Sequence, residues 1–153
     1  MRMGQILIIL VLIAAVCMLL FIRISPLPAT TWHVDPATVI RPTTPNYFLM
    51  RDGDGDVAAL RVSGTVADVA DRLNAIAGAS PRTRLVGGSI QAGHVTYMQR
   101  SLVMGFPDAL SLRLTQSGED DVIVQAFARA RFGSSDFGVN RTWVTSWLSQ
   151  LAP

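Results

Sequence analysis

Residues 109–115 read Ala-Leu-Ser-Leu-Arg-Leu-Thr. Leu110, Leu112 and Leu114 fall on one side and Ser111, Arg113 and Thr115 on the other, the period-2 alternation of a half-buried strand. Ser117 to Asp120 supplies a turn, and Val122 to Ala130 resumes the alternation with Val122, Val124, Ala126 and Ala128 on one face. Two alternating runs joined so closely predict an antiparallel hairpin.

Working upstream, His94 to Leu102 reads as another strand, with Val95, Tyr97, Gln99 and Ser101 sharing a face. Pro107 separates it from the hairpin, because proline donates no ladder hydrogen bond. Thr83 to Ile90 precedes it across a Gln91–Gly93 turn; Gly87 and Gly88 mark a bulge or a close backbone approach. Val57 to Val62 is a first strand bounded by Gly55 and Gly64. Between them Val66, Val69, Ala70, Leu73, Ile76 and Ala77 recur at helical spacing; Thr65 caps this helix with Asp68 in a capping box, and Gly78 marks its end. Downstream, Val139, Trp143, Trp147, Leu148 and Leu151 form the stripe of a second helix capped by Asp136. The order β-α-β-β-β-β-α predicts an α+β domain over 57–153. It is an antiparallel sheet of four to five strands with two helices on one face, a pattern compatible with a reduced helix grip.

The N-terminal residues 1–24 are a separate object. Ile6 to Ile22 is apolar without a break, flanked by Arg2 and Arg23, and with Ile24 it approaches the about 20 residues that cross a bilayer. A cleaved signal peptide would have a shorter apolar core and a small residue where Leu27 precedes the best site at Ala29; a lipoprotein would not place Val16 before Cys17. An uncleaved anchor fits best, meeting the lipid bilayer through Ile6–Ile24. A short N-terminal tail before a long domain implies a cytoplasmic N-terminus and a periplasmic or extracytoplasmic domain.

Residues 25–56 read as a tether. Pro26, Pro28, Pro36, Pro42 and Pro45 favour extended chain over helix. Trp32 suits either the headgroup level or packing on the domain. His33 and Asp35 lack neighbouring metal ligands and read as turn chemistry. Asp52, Asp54 and Asp56 begin like a calcium loop, but Val57 and Ser63 stand where it needs Gly and Glu, so a solvated turn is expected.

The charges exclude several classes of function. All 13 basic side chains are Arg against 11 acidic ones, net +2, with no run suited to nucleic acid. The lone Cys17 lies in the apolar run, so the domain has no disulfide. No phosphate loop, nucleotide fingerprint or metal-ligand spacing occurs, so no cofactor and no metal is expected.

Phe106-Pro107-Asp108, followed by a hairpin and then Arg131-Phe132-Gly133-Ser134-Ser135-Asp136-Phe137-Gly138-Val139-Asn140-Arg141, resembles the bacterial domain-of-unknown-function family 1499 over about residues 57–152. That family carries no established activity; the resemblance implies a small bacterial protein attached to or exported across a membrane. Ala128, Ala130 and Trp143 replace the two serines and the arginine of its pattern, which excludes a catalytic serine at the first two positions.

The elbow before the last helix is the candidate ligand site: Arg131, Ser135, Asp136, Asn140 and Arg141, with Ser134 beside them. Free N–H groups at a helix start and two arginines suit a phosphate or carboxylate. The competing reading is architectural, with Asp136 capping the helix and Arg131 or Arg141 paired to Asp136 or Asp108.

Three functions follow in order of preference. The first is a non-enzymatic envelope domain that meets a partner protein or the membrane surface. The second is a binding module for an anionic or lipid-like ligand in a cavity lined by Leu110, Leu112, Trp143 and Trp147, with Arg131 or Arg141 at its mouth. The third, a hydrolase, requires Ser135, His94 and Asp108 to converge.

Overall fold

The computed structural model describes residues 3–151. Helix α1 spans Met3–Ile24, about 33 Å at 1.5 Å per residue, long and apolar enough to cross a membrane. One short turn of helix, α2 (Ala29–Trp32), follows. The domain then runs β1 (Tyr47–Met50), β2 (Leu60–Ser63), α3 (Val66–Ala79), β3 (Thr83–Ser89), β4 (His94–Arg100), β5 (Pro107–Gln116), β6 (Asp121–Ala130) and α4 (Val139–Leu148).

The architecture is α+β with one antiparallel sheet, ordered β1-β6-β5-β4-β3, and β2 also pairs with β6. The hairpin of alternating residues is its centre, Leu112 facing Ala126 and Leu114 facing Val124 in register. β1 and β2 both run antiparallel to β6, β1 along Ala126–Arg129 and β2 along Asp121–Val124. They are two pieces of one edge, interrupted by an excursion over residues 51–59.

β1 lies inside the stretch expected to be an extended tether. Tyr47, Phe48, Leu49 and Met50 are four apolar residues of good strand propensity. Their partner is the C-terminal half of β6, whose backbone groups would otherwise be unpaired. Pro107 also differs from expectation: it opens β5 as its first residue, a position where a missing N–H is tolerated.

The inner face of the sheet carries the core. Val95, Tyr97, Leu110, Leu112, Leu114, Val122, Val124, Ala126 and Ala128 meet Val69, Ala70, Leu73 and Ala77 of α3 and Trp143, Val144, Trp147 and Leu148 of α4. The Thr65–Asp68 capping box is complete, and α3 runs one residue past Gly78. In α4 the expected stripe shifts: Val139 is exposed and Asn140 is fully buried.

The outer face is covered by the end of α1 and the residues that follow it. Ile22, Ser25 and Leu27 are buried, as are Thr96, Ser111 and Phe127 on the strands. Gly87 and Gly88 serve both roles read from them. The register shifts between Leu85 and Gly87, and a Cβ on Gly88, at φ +74°, would lie 2.6 Å from the His33 ring. Only glycine lets the chain pass this close.

Candidate functional site

The elbow preceding α4 is built by its own turn chemistry. Gly138 occupies the left-handed region at φ +80°, and the Asp136 carboxylate accepts from the N–H groups of Gly138 (3.1 Å) and Asn140 (3.0 Å). Ser135 Oγ accepts from the Phe137 N–H at 3.3 Å. Asn140 donates to the Asn46 carbonyl at 3.4 Å, joining α4 to the entry of β1, while its buried Oδ1 has no hydrogen-bond partner among the described residues. Asp136 and Asn140 thus use their polar groups to shape the start of the helix.

The two arginines of the elbow part company. Arg141 is exposed and lies over the Phe48 ring at 4.5 Å, beside Asp136 in a groove of about 280 Å³. Arg131 belongs to the outer face, where it donates to the Pro26 carbonyl and lies 5.5 Å from the Phe132 ring. Among the described residues neither arginine forms an ion pair with Asp136 or Asp108. A joint anion clamp by Arg131 and Arg141 is therefore not assembled, because strand alternation sends Arg131 away from α4.

The expected cavity is also filled. Leu110, Leu112, Trp143 and Trp147 are buried in the core, with Trp143 and Trp147 edge-to-face at 5.7 Å. Nor do Ser135, His94 and Asp108 converge. His94 pairs with Arg113 at one end of β5, while Asp108 lies at the other end, about 16 Å away along the strand and on the opposite face.

A different pocket gathers the two sequence motifs. Phe106, just ahead of β5, and Asp108 near its start meet Phe132, Ser135, Asp136, Phe137 and Val139 around a cavity of about 310 Å³ with mainly apolar walls. Burial, and then the negative charge of Asp136, pushes the Asp108 carboxyl up to about 7. Phe137 stands at the rim, 95% exposed and at φ +53°, a strained backbone for an aromatic residue. Composition hid this pocket; its signal was the pairing of the Phe106-Pro107-Asp108 motif with the elbow.

The most elaborate polar arrangement lies on the outer face. Arg100 donates to the carbonyls of Ile22 (3.3 Å), Ser25 (2.6 Å) and Gly105 (2.9 Å), so it caps the C-terminus of α1. Arg131 holds Pro26; Arg129 holds the Thr31 carbonyl and stacks on Trp32 at 4.2 Å. Arg51 donates to the carbonyls of Pro36 and Val39. Trp32 thereby packs on the domain. Phe132 meets Phe21 of α1 edge-on at 6.0 Å.

The three aspartates of the β1–β2 excursion each take one arginine: Asp52 pairs with Arg61, Asp54 with Arg51 and Asp56 with Arg41. Asp56 also accepts from the Leu49 N–H and Asp52 from the Ala59 N–H, so two of these carboxylates brace the break between the edge strands.

These features define a class: a small antiparallel α+β domain joined, through arginines on backbone carbonyls, to one long apolar N-terminal helix. The chain belongs to the family described as protein of unknown function (DUF1499), which matches residues 38–151. The match starts ahead of β1, so it includes the edge strand and its Asp-rich excursion. No curated protein and no solved structure matches the chain.

Proposed function

We propose that this is a single-pass membrane protein whose domain is held against the bilayer surface and acts there by interaction with the membrane or an envelope protein rather than by catalysis. The observation that carries this reading is the capping of α1 by Arg100. A domain that holds the last turn of its own anchor cannot drift from the membrane plane as a tethered one would. The cytoplasmic N-terminus and extracytoplasmic domain expected from the short N-terminal tail belong to the same proposal, as does a bacterial envelope. The test uses membranes from cells making the full chain. Carbonate washing is expected to leave it in the bilayer, and residues 25–46 are expected to resist limited proteolysis. Release by carbonate, or rapid cleavage within 25–46, would overturn the reading.

A second reading is favoured by the convergence of Phe106, Asp108, Phe132 and Phe137 on one apolar pocket, with Phe132 also touching Phe21 of α1. Such a pocket suits a lipid-like molecule entering from the bilayer, with its polar end at Asp108. Native mass spectrometry of the full chain is expected to find an adduct that Phe137→Arg abolishes. The same adduct on both proteins, or an adduct on neither, would remove this reading.

A further inference from the structure

Arg23, Arg82, Arg84 and Arg100 line one open cavity of about 600 Å³, together with Ile24 and Leu102. Four guanidinium groups share this space, and none of them forms an ion pair among the described residues. Arg23 donates to the Val103 carbonyl at 2.8 Å, Arg82 to the Arg100 carbonyl at 2.9 Å, and Arg100 to the carbonyls already described. Those bonds fix Arg23, Arg82 and Arg100 in place, and among the described residues no carboxylate offsets the charge of the four. Burial first, then the charges of Arg84 and Arg131, holds the Arg100 guanidinium below its ordinary value, a sign of how crowded with cations this corner is.

The position of the cavity selects its occupant. It opens at the last turn of α1, where the apolar span ends; with α1 across a bilayer, Arg23 falls at the level of lipid phosphates. Beside it the β4–β5 loop presents Leu102, 71% exposed, and Val103, 76% exposed, next to Met104. Consecutive exposed apolar side chains tied to Arg23 by a hydrogen bond would, with α1 across a bilayer, fall where acyl chains meet headgroups. Planar guanidinium groups bind phosphate oxygens in pairs, and Leu102 and Ile24 offer an apolar wall to the glycerol and the first methylenes.

We propose that the cavity between Arg23, Arg82, Arg84 and Arg100 binds the phosphate of an anionic phospholipid, with the Leu102–Met104 loop set into the same leaflet. The inference rests on the membrane-anchored reading and adds to it a ligand class and a site. It explains why, among the described residues, the four arginines lack acidic partners: a carboxylate there would compete with the headgroup.

The experiment is native mass spectrometry of the full chain released from nanodiscs holding phosphatidylcholine and phosphatidylglycerol in equal amounts. The wild type is expected to retain one phosphatidylglycerol in preference to phosphatidylcholine. Arg82→Gln/Arg84→Gln is expected to lower that retention about thirtyfold, since each basic residue at a charged surface contributes roughly a fivefold gain. Arg84→Glu alone, at an exposed side chain, is expected to lower it as well and guards against misfolding of the double variant. Arg61→Gln/Arg141→Gln, which removes equal charge elsewhere, is expected to leave it unchanged. Equal retention of both lipids, or indifference to the Arg82 and Arg84 changes, would overturn the proposal. A chain that survives carbonate washing but shows no lipid preference refutes this inference alone; a chain stripped by carbonate refutes the anchored reading beneath it.

Discussion

His33 stacks on His94 with ring centroids 4.0 Å apart and planes 21° from parallel. His33 Nδ1 lies 2.9 Å from Thr96 Oγ1, which lies 2.8 Å from Ser111 Oγ, and His94 Nε2 donates to the Val34 carbonyl at 3.1 Å. A strand residue and a residue after α1 therefore satisfy each other's neighbourhoods. With the arginine contacts, this pair turns the segment after α1 into a second layer on the sheet. Thr96 and Ser111, both buried polar residues, gain the partners that burial demands.

The stack makes the layer sensitive to acid. Burial first, then the charge of His94, lowers the His33 pKa from its ordinary 6.5, and Asp35 opposes the shift. Because the folded value is depressed, the unfolded or undocked segment takes up the proton first. The contribution to stability is full above about 6.5 and is lost as pH falls through the lower, docked value. Hydrogen exchange of the amides of residues 30–36 is expected to quicken severalfold between about pH 8 and about pH 5 beyond the intrinsic pH effect. In His33→Gln that extra acceleration is expected to vanish; if it persists, the stack is not the sensor.

Gly88 is where the layer is most vulnerable. Its φ of +74° disfavours any side chain, and a Cβ would lie 2.3 Å from the His94 carbonyl oxygen as well as 2.6 Å from His33 Cε1. Gly88→Ala is expected to destabilise by about 2 kcal/mol or more and to expose residues 25–40 to protease. Gly118→Ala, also at positive φ but with open space around it, bears the conformational cost without the collision. Comparing protease sensitivity in the two variants separates close packing from backbone strain; equal sensitivity would remove the packing argument.

The inner face was legible because period-2 alternation and helical stripes are written in single residues such as Leu110, Leu112, Val69 and Leu73. The outer face was not. Five prolines between Ser25 and Asp56 suggest extended chain, and nothing local says that a carbonyl at Ser25 will meet Arg100, seventy-five positions away. β1 was hidden for the same reason: Tyr47–Met50 is short, and its strand state depends on β6 offering an edge. Asp136 could be read as a cap from its distance to the helix. Arg131 could not be placed, because one residue of strand register decides which face it takes.

Asp108 is expected to titrate with stability. Its folded value, raised to about 7 from 3.8, means that the contribution is fully present below 3.8 and is lost as pH rises through about 7. Asp108→Asn is therefore expected to match the wild type near pH 3.5 and to exceed it at about pH 8 by about 2 kcal/mol, allowing for screening by solvent at the pocket mouth. Tryptophan-monitored urea unfolding of the full chain in detergent reads this directly. A stability difference that does not change between the two pH values would mean that Asp136 and burial do not perturb Asp108.

Leu112 and Phe137 mark opposite ends of the relation between packing and purpose. Leu112 is fully buried at the centre of the sheet, facing Ala126, so Leu112→Ala removes contacts on every side and is expected to cost about 2–5 kcal/mol. Phe137 is exposed, and its φ of +53° is a conformation that asparagine tolerates better than phenylalanine. Phe137→Asn is expected to lose no stability and to gain up to about 1 kcal/mol. An aromatic ring kept at a strained, solvent-facing position contributes little to the fold, and its place is the rim of the pocket that Asp108 lines. The same urea titration decides the matter: a loss of stability in Phe137→Asn as large as that in Leu112→Ala would make the ring a packing element and the rim an accident of folding.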